Sequence, residues 1–155
     1  MILETNEDDY ARLLLGKAPR DLRLADTDIA PPEVLAMLFD LARRVGADFS
    51  PAAWLIVEQG ETVGLCSVTK PPCGGVVEIG YGVAPSRQGR GCATRAIAEV
   101  VAWAKADPRV EALSAETATT NLASQAVLAG NGFLQVGERI DDEDGPLILW
   151  RCQTR

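Results

Sequence analysis

The chain has 155 residues, of which 47% are apolar and 24% charged, a balance typical of one globular domain over residues 1–155. Acidic residues outnumber basic ones by 22 to 15, and the net charge of −7 argues against a nucleic-acid binder or a polybasic membrane binder. The chain has 0 histidines, which excludes a Ser-His-Asp triad, a histidine base and a histidine-ligated zinc. Any proton transfer therefore falls to carboxylates, Tyr, Lys, Cys, Ser or water.

The cysteines and the hydropathy of the chain bear on metal binding and localisation. No two of the 4 cysteines form a CxxC pair, so we expect no zinc ribbon and no metal site. The residues after Met1 become acidic, unlike a signal peptide, and the longest apolar runs, over 34–39 and 52–57, are too short to span a bilayer. We therefore predict a cytoplasmic protein with reduced thiols.

The first half of the chain predicts two helices followed by an antiparallel meander. A short strand over residues 1–3 precedes a helix that is capped by Asn6 and ended by Gly16. Apolar residues at helical spacing predict a second helix over 33–45. Short turns then join three predicted strands, over residues 54–58, 62–69 and 76–83.

The second half alternates between helices and strands. The predicted elements are a helix over 91–106, a strand over 112–117, a helix over 121–129, and strands over 133–136 and 147–152. The helix over 91–106 leaves enough chain for a parallel crossover. This order predicts an α/β (α+β) fold, with a mixed, mostly antiparallel central sheet of six to seven strands and helices on both faces.

A glycine-rich turn, residues 84–91, lies between the third predicted strand and the third helix. Such a junction directs free backbone N–H groups and the positive end of the helix dipole at one point, which favours a bound phosphate. Gly89 and Gly91 permit close backbone approach, and Arg87 and Arg90 add positive charge. The turn lacks the spacing of a P-loop or a dinucleotide fingerprint. The residues alone leave open a turn that binds nothing and a phosphate-binding domain of another α/β type.

Three segments resemble the GNAT superfamily of acyl-CoA N-acyltransferases. Gln88-Gly89-Arg90-Gly91-Cys92-Ala93 matches the Gln/Arg-x-x-Gly-x-Gly/Ala signature of that family. Glu78-Ile79-Gly80-Tyr81-Gly82-Val83 resembles the preceding strand in its ribosomal-protein N-acetyltransferase-like branch. Asn121-Leu122-Ala123-Ser124, followed by Gly132-Phe133, resembles the Asn-x-x-Ser…Gly-Phe segment of that branch. The resemblance, over residues 50–152, implies a splayed parallel strand pair that encloses acetyl-CoA as cosubstrate.

The resemblance also implies which residues bind the coenzyme. Amides of the loop would hold the pyrophosphate, and the strand before the loop would pair with pantetheine like an added strand. Asn121 would contact the pantetheine arm, a role compatible with capping the next helix. The implied coenzyme-binding residues are Gly82, Val83, Arg87, Gln88, Gly89, Arg90, Gly91, Cys92, Ala93, Thr94 and Asn121.

Two residues are the candidates for catalysis. Period-2 alternation places Glu78 among glycines on one strand face, and burial beside the coenzyme would raise the pKa of its carboxyl towards that of a base. In the family, a glutamate on this strand often serves as the base. The tyrosine that many members carry seven residues after the Asn is Leu128 here, so Ser124 is the first candidate to assist the leaving thiolate and Tyr81 the second. A solvated strand glutamate and a plain helix-start hydroxyl remain open.

The acceptor is less determined by the sequence. Acidic residues at 138 and 141–144 form either a solvated turn or a rim that attracts a cationic amine, and 7–9 would join such a rim if the first helix borders the cleft. We predict an enzyme, monomer or homodimer, that transfers acetyl from acetyl-CoA to a primary amine by direct attack on the thioester. The amine is a protein N-terminus or a small molecule. The alternative is a catalytically weak acyl-CoA-binding module that acts as a sensor or interaction domain.

Overall fold

The computed structural model describes all 155 residues. Four helices and eight strands follow one another along the chain as β1 Ile2–Glu4, α1 Glu7–Leu14, β2 Arg23–Leu24, α2 Pro32–Gly46, β3 Ala53–Glu58, β4 Glu61–Val68, β5 Val76–Val83, α3 Cys92–Ala106, β6 Ala112–Ala118, α4 Leu122–Gly130, β7 Leu134–Asp141 and β8 Gly145–Gln153. A single 3₁₀ turn, Pro85–Arg87, lies between β5 and α3. None of the helices combines the length and the hydropathy of a membrane span.

The strands form one sheet in the order β1-β3-β4-β5-β6-β8-β7, and β2 pairs with β4 outside this path. Neighbours are antiparallel except for β2 with β4 and β5 with β6. The β5–β6 pairing covers only Val76–Glu78 against Ala112–Ser114, although both strands continue for several residues beyond it. The two strands therefore splay apart towards their carboxyl ends, which leaves a cleft in the sheet.

Helices cover both faces of the sheet because the strand residues alternate. Along β3, Ala53, Leu55 and Val57 pack into a core with α1 and α2, whereas Trp54 and Ile56 pack into the larger core with α3 and α4. On β5, Val77 and Ile79 belong to the α3 side. Period-2 alternation then turns the side chains of the even-numbered β5 residues towards α2.

The predicted fold class is confirmed, with differences at particular elements. The sheet has eight strands and not six to seven, because Arg23–Leu24 forms a two-residue strand beside β4 that has no alternating pattern. The strand predicted over 133–136 begins at Leu134 and continues to Asp141, whereas Phe133 is a buried residue ahead of it. Residue 141, predicted in a turn, closes the ladder by pairing with Gly145.

Candidate active site

The splay of β5 from β6 opens a cleft of about 550 Å³. Its walls are the carboxyl half of β5, the loop before α3, the first turn of α3 and one face of α4. The lining residues are Tyr81, Gly82, Val83, Arg87, Gln88, Gly89, Gly91, Cys92, Ala93, Thr94, Asn121, Ala123, Ser124, Ala126 and Val127. Ten of the eleven residues predicted to bind the coenzyme therefore meet in one cleft, together with Ser124.

The glycine loop presents unsatisfied backbone donors to this cleft. Gly89 and Gly91 have φ values of 75° and 78°, a left-handed conformation that favours glycine. Gly91 is the N-cap of α3 and has no side chain to satisfy the first helical N–H groups. The N–H groups of Cys92, Ala93 and Thr94 lack intrahelical acceptors, and these residues line the cleft. The loop and the helix dipole together form a site for an anion such as a phosphate.

The two arginines of the loop differ in role. The Arg87 guanidinium lines the cleft but donates to both oxygens of Glu61 on β4, at 2.6 and 3.1 Å, and to Asp26 at 3.2 Å. Ser86 adds a second contact between the loop and the segment before α2, because its N–H donates to the Thr27 hydroxyl at 3.0 Å. Arg87 therefore anchors the loop to β4 and to the segment before α2, and its cation is already neutralised.

Arg90 lies outside the lining of the cleft. It borders a neighbouring polar cavity of about 350 Å³, and the side chain forms no ion pair. The Arg90 guanidinium is thus exposed and not ion-paired. Its backbone carbonyl accepts a hydrogen bond from the Arg95 side chain at 3.0 Å.

Two amide side chains shape the ends of the cleft. The Asn121 side chain accepts the N–H of Ser124 at 3.1 Å, so it caps α4, and the residue also lines the cleft. The Gln88 side chain donates to the carbonyl of Val83 at 3.1 Å. That bond occupies a backbone acceptor of β5 at the cleft. On the β6 side, β5 has no strand partner beyond Glu78.

Tyr81 reaches across the cleft from β5 to α4. Its hydroxyl lies 2.7 Å from the Ser124 hydroxyl and 3.3 Å from the Ser124 carbonyl oxygen. Burial raises the pKa of Tyr81, and the hydrogen bond to Ser124 offsets part of that rise. Leu128, in the position of the expected tyrosine, is fully buried in the core and lies one turn of α4 beyond Ser124.

A second cavity of about 250 Å³ lies on the α2 side of β5. Gly80 and Gly82 carry no side chain there, so space remains between the sheet and α2. The cavity is lined by Ile29, Ala30, Val34, Leu38, Leu65, Ser67, Thr69, Gly80, Tyr81 and Gly82. Since Tyr81 and Gly82 also line the cleft, the two cavities adjoin through β5.

Glu78 lines neither of these cavities but contacts the second through Thr69. Thr69 lines the cavity, and its hydroxyl donates to the Glu78 carboxylate at 2.6 Å. The other carboxylate oxygen lies 3.5 Å from the Lys70 ammonium. Glu78 is half-buried and Lys70 exposed, so this glutamate is neither solvated freely nor in direct reach of the cleft.

The acidic clusters lie away from both cavities. Asp141 accepts the N–H groups of Glu143 and Asp144, which lower the pKa of the Asp141 carboxyl with help from Arg139. These residues form the β7–β8 turn. In α1 each carboxylate has its own arginine, as Glu7–Arg43, Asp8–Arg12 and Asp9–Arg20 pairs. No three His, Cys, Asp or Glu side chains gather as a metal site.

Comparison with known proteins decides the family. The model of the acetyltransferase (GNAT) domain matches residues 2–134, most of the chain. This chain belongs to the GNAT acetyltransferase family. No relative is found among curated protein sequences.

Solved GNAT structures share the fold at low sequence identity. A spermidine N-acetyltransferase SpeG chimera from Vibrio cholerae and hSSAT superposes with a TM-score of 0.73 at 15% identity, over 99% of this chain and 95% of that one. AAC(6')-Ib in complex with ribostamycin and coenzyme A gives 0.69 at 16% identity, over 99% and 92%. The ribosomal alpha-N-protein acetyltransferase RimL gives 0.68 at 17% identity, also over 99% and 92%.

The GNAT signature located the loop, but several lining residues lay outside it. Ala123, Ala126 and Val127 line the cleft as one face of α4, a consequence of helical spacing after Asn121. Thr69 had no signal in the sequence, because its role depends on the antiparallel register that places β4 beside Glu78.

Proposed function

We propose that this GNAT protein transfers the acetyl group of acetyl-CoA to a primary amine. The observation that carries the proposal is the junction of two cavities at Tyr81 and Gly82. One cavity has the donors of an anion site, and the other is a smaller pocket on the opposite face of the same strand. An amine in the second cavity can approach a thioester in the first because Gly82, on the strand between them, has no side chain to block the path.

The cleft fits acetyl-CoA in its chemistry. The free N–H groups of Cys92, Ala93 and Thr94 suit a pyrophosphate, and the unpaired β5 edge suits an amide-bearing chain such as pantetheine. Gly89 and Gly91 complete the loop, Asn121 retains free amide donors, and Arg90 offers a free cation to a phosphate. Acetyl-CoA supplies an activated acetyl thioester when bound.

The proton of the attacking amine leaves through Thr69 and Glu78. Thr69 lines the second cavity, called the acceptor cavity from here on, so its hydroxyl oxygen would accept the amine proton while its own proton passes to the Glu78 carboxylate. Glu78 therefore acts as the base through Thr69 and does not contact the amine directly. This indirect role is compatible with a carboxylate that is ion-paired with Lys70. Positioned general bases contribute about 10²–10⁴-fold in rate.

The leaving sulfur receives its proton from the hydroxyl pair. Tyr81 is the more acidic of the two groups, with an ordinary pKa of about 10, and Ser124 orients it at 2.7 Å. This pair faces the cleft one helical turn from Leu128. A tyrosine from β5 would thus provide the donor that α4 lacks.

The test combines binding and turnover. Isothermal titration with acetyl-CoA should give a Kd in the micromolar range, and thiol release should depend on added primary amine. Absence of acetyl-CoA binding at millimolar concentration would overturn the proposal. Binding without amine-dependent thiol release, over a broad panel of amines, would instead identify an acyl-CoA-binding module.

A further inference from the structure

The chemistry of the acceptor cavity narrows the class of amine that it accepts. None of its ten lining residues carries a charge, and the polar side chains among them are those of Ser67, Thr69 and Tyr81, of which the Tyr81 hydroxyl is bonded to Ser124 across the cleft. We propose, on the basis of the acetyl-transfer function above, that the acceptor is a primary monoamine with a small apolar group. The cavity then selects against polyamines and other polycations.

The walls explain the apolar preference. Val34 and Leu38 of α2 face Leu65 of β4 across the space left by Gly80 and Gly82. The volume of about 250 Å³ is below the roughly 300–1,000 Å³ of pockets for drug-sized ligands. A short hydrocarbon arm fills such a space and gains by leaving water.

A second ammonium would find no counter-charge. Ser67 is almost fully buried, so an additional cation beside it would lose its water and gain only a hydroxyl. The nearest carboxylate, Glu78, is shared between Thr69 and Lys70, and Lys70 brings a further positive charge to that end. Asp28, next to Ile29 in sequence, is exposed and does not line the cavity.

Several other carboxylates of the protein are already paired or lie away from the cavity. Those of α1 are paired with arginines, and Asp26 and Glu61 are held by Arg87. The acidic turn between β7 and β8 does not contribute to the lining. The reacting amine itself must be neutral to attack, and an uncharged cavity favours that form.

Two amines of equal length isolate the effect of the second charge. Pentylamine and 1,5-diaminopentane differ only in a terminal ammonium, so their kcat/KM values in a thiol-release assay measure the discrimination directly. We expect pentylamine to be the better acceptor by at least tenfold. Titration of both amines into the protein with coenzyme A should give the same order of affinity.

A carboxylate added to the cavity wall should reduce this preference. Val34 lies in the first turn of α2, where the helix dipole stabilises an acidic side chain. The N-cap Pro31 has no N–H group that could form a hydrogen bond with the introduced carboxylate. We expect Val34→Asp to lower the ratio of pentylamine to diaminopentane at least fivefold. The exposed Ala36→Asp on the same helix should leave the ratio unchanged.

The outcomes separate this inference from the function on which it rests. If neither amine, nor any of a wider panel, releases thiol from bound acetyl-CoA, acetyl transfer itself is wrong. If the enzyme turns over and diaminopentane or spermidine equals or exceeds pentylamine, the apolar monoamine class is wrong and acetyl transfer stands. The comparison in the unaltered protein decides this even if Val34→Asp fails to fold.

Discussion

The hydroxyl of Tyr81 on β5 and the hydroxyl of Ser124 on α4 lie 2.7 Å apart across the cleft between the splayed strands. The bond joins the two walls of the cleft, and Tyr81 also lines the second cavity. Neither residue lies near the other in sequence, so the pair depends on the splay. We propose that it supplies a proton donor in place of the tyrosine that is absent at Leu128.

Removal of either hydroxyl should slow the chemical step and leave coenzyme binding intact. We expect Tyr81→Phe to lower kcat about 100-fold and Ser124→Ala about tenfold, as for general acids and their positioning partners. Because the two groups act through one hydrogen bond, the double variant should lose little more than Tyr81→Phe alone. Steady-state kinetics and calorimetric Kd values for coenzyme A measure the two effects.

Tyr10→Phe is the matched control, since Tyr10 is the other tyrosine and packs on Phe39 in the α1/α2 core. Its kcat should equal that of the unaltered enzyme. Strictly multiplicative losses in the Tyr81→Phe and Ser124→Ala double variant would contradict a shared role.

The pH dependence of kcat should reflect the buried phenol. Burial raises the pKa of Tyr81 above its ordinary value, so the donor keeps its proton at least over the pH range in which an ordinary tyrosine does. The rate should therefore show no fall on the alkaline side between pH 7 and pH 9. A decline in kcat that begins near pH 8, in a protein that remains folded by circular dichroism, would rule out Tyr81 as the acid.

The proton path through Thr69 predicts a contrast between two substitutions at one position. Thr69→Val keeps the shape of the side chain but breaks the link from the cavity to Glu78, so kcat should fall at least tenfold. Thr69→Ser retains the hydroxyl and should restore most of the rate. Glu78→Gln should lower kcat about 100-fold, with KM for acetyl-CoA nearly unchanged.

Equal activity of Thr69→Val and Thr69→Ser would show that the hydroxyl takes no part. If Glu78→Gln alone were impaired, the base would act through water instead. Rates are compared at pH 7 and pH 9, because the loss in Glu78→Gln should shrink as solvent hydroxide and neutral amine become abundant.

Substitution of Arg87 should affect the stability of the fold, whereas substitution of Arg90 should affect coenzyme binding. Arg87 is held between Glu61 and Asp26, so Arg87→Met should lower the melting temperature and leave two carboxylates unpaired beside the loop. Arg90 is exposed and unpaired, so Arg90→Met should keep the melting temperature and weaken coenzyme A about tenfold at low salt.

The difference for Arg90 should diminish at high salt, since an exposed charge is screened. Thermal unfolding and titration calorimetry, at two salt concentrations, measure both properties for each variant. A loss of coenzyme affinity for Arg90→Met that did not depend on salt would argue against a charge contact with phosphate.

The sequence predicted the fold and the position of the glycine loop because their signals are local. Turn residues, helix caps and the GNAT signature lie within short segments, and the structure places them in the predicted order. It did not predict the bonds of Arg87 to Glu61 or Tyr81 to Ser124, since each joins elements far apart in the chain. The extent of β7 also escaped prediction, because that exposed strand contains Gly137 and charged residues and is held by pairing with β8.

Gly64 on β4 and Gly82 on β5, one register position apart, provide a last contrast in stability. A side chain at Gly64 would overlap the backbone carbonyl oxygen of Gly82, and backbone atoms cannot move aside without separating the strands. Gly64→Ala should therefore reduce the free energy of unfolding by about 3 kcal/mol, at the upper end for overpacked sites. A Cβ at Gly82 meets no atom within 4 Å, so Gly82→Ala should fold with unchanged stability. The methyl group added at Gly82 would enter the junction of the two cavities, so kcat/KM for the amine should fall while the urea unfolding curve stays the same. Equal stability of Gly64→Ala and Gly82→Ala would contradict the close approach of β4 to β5.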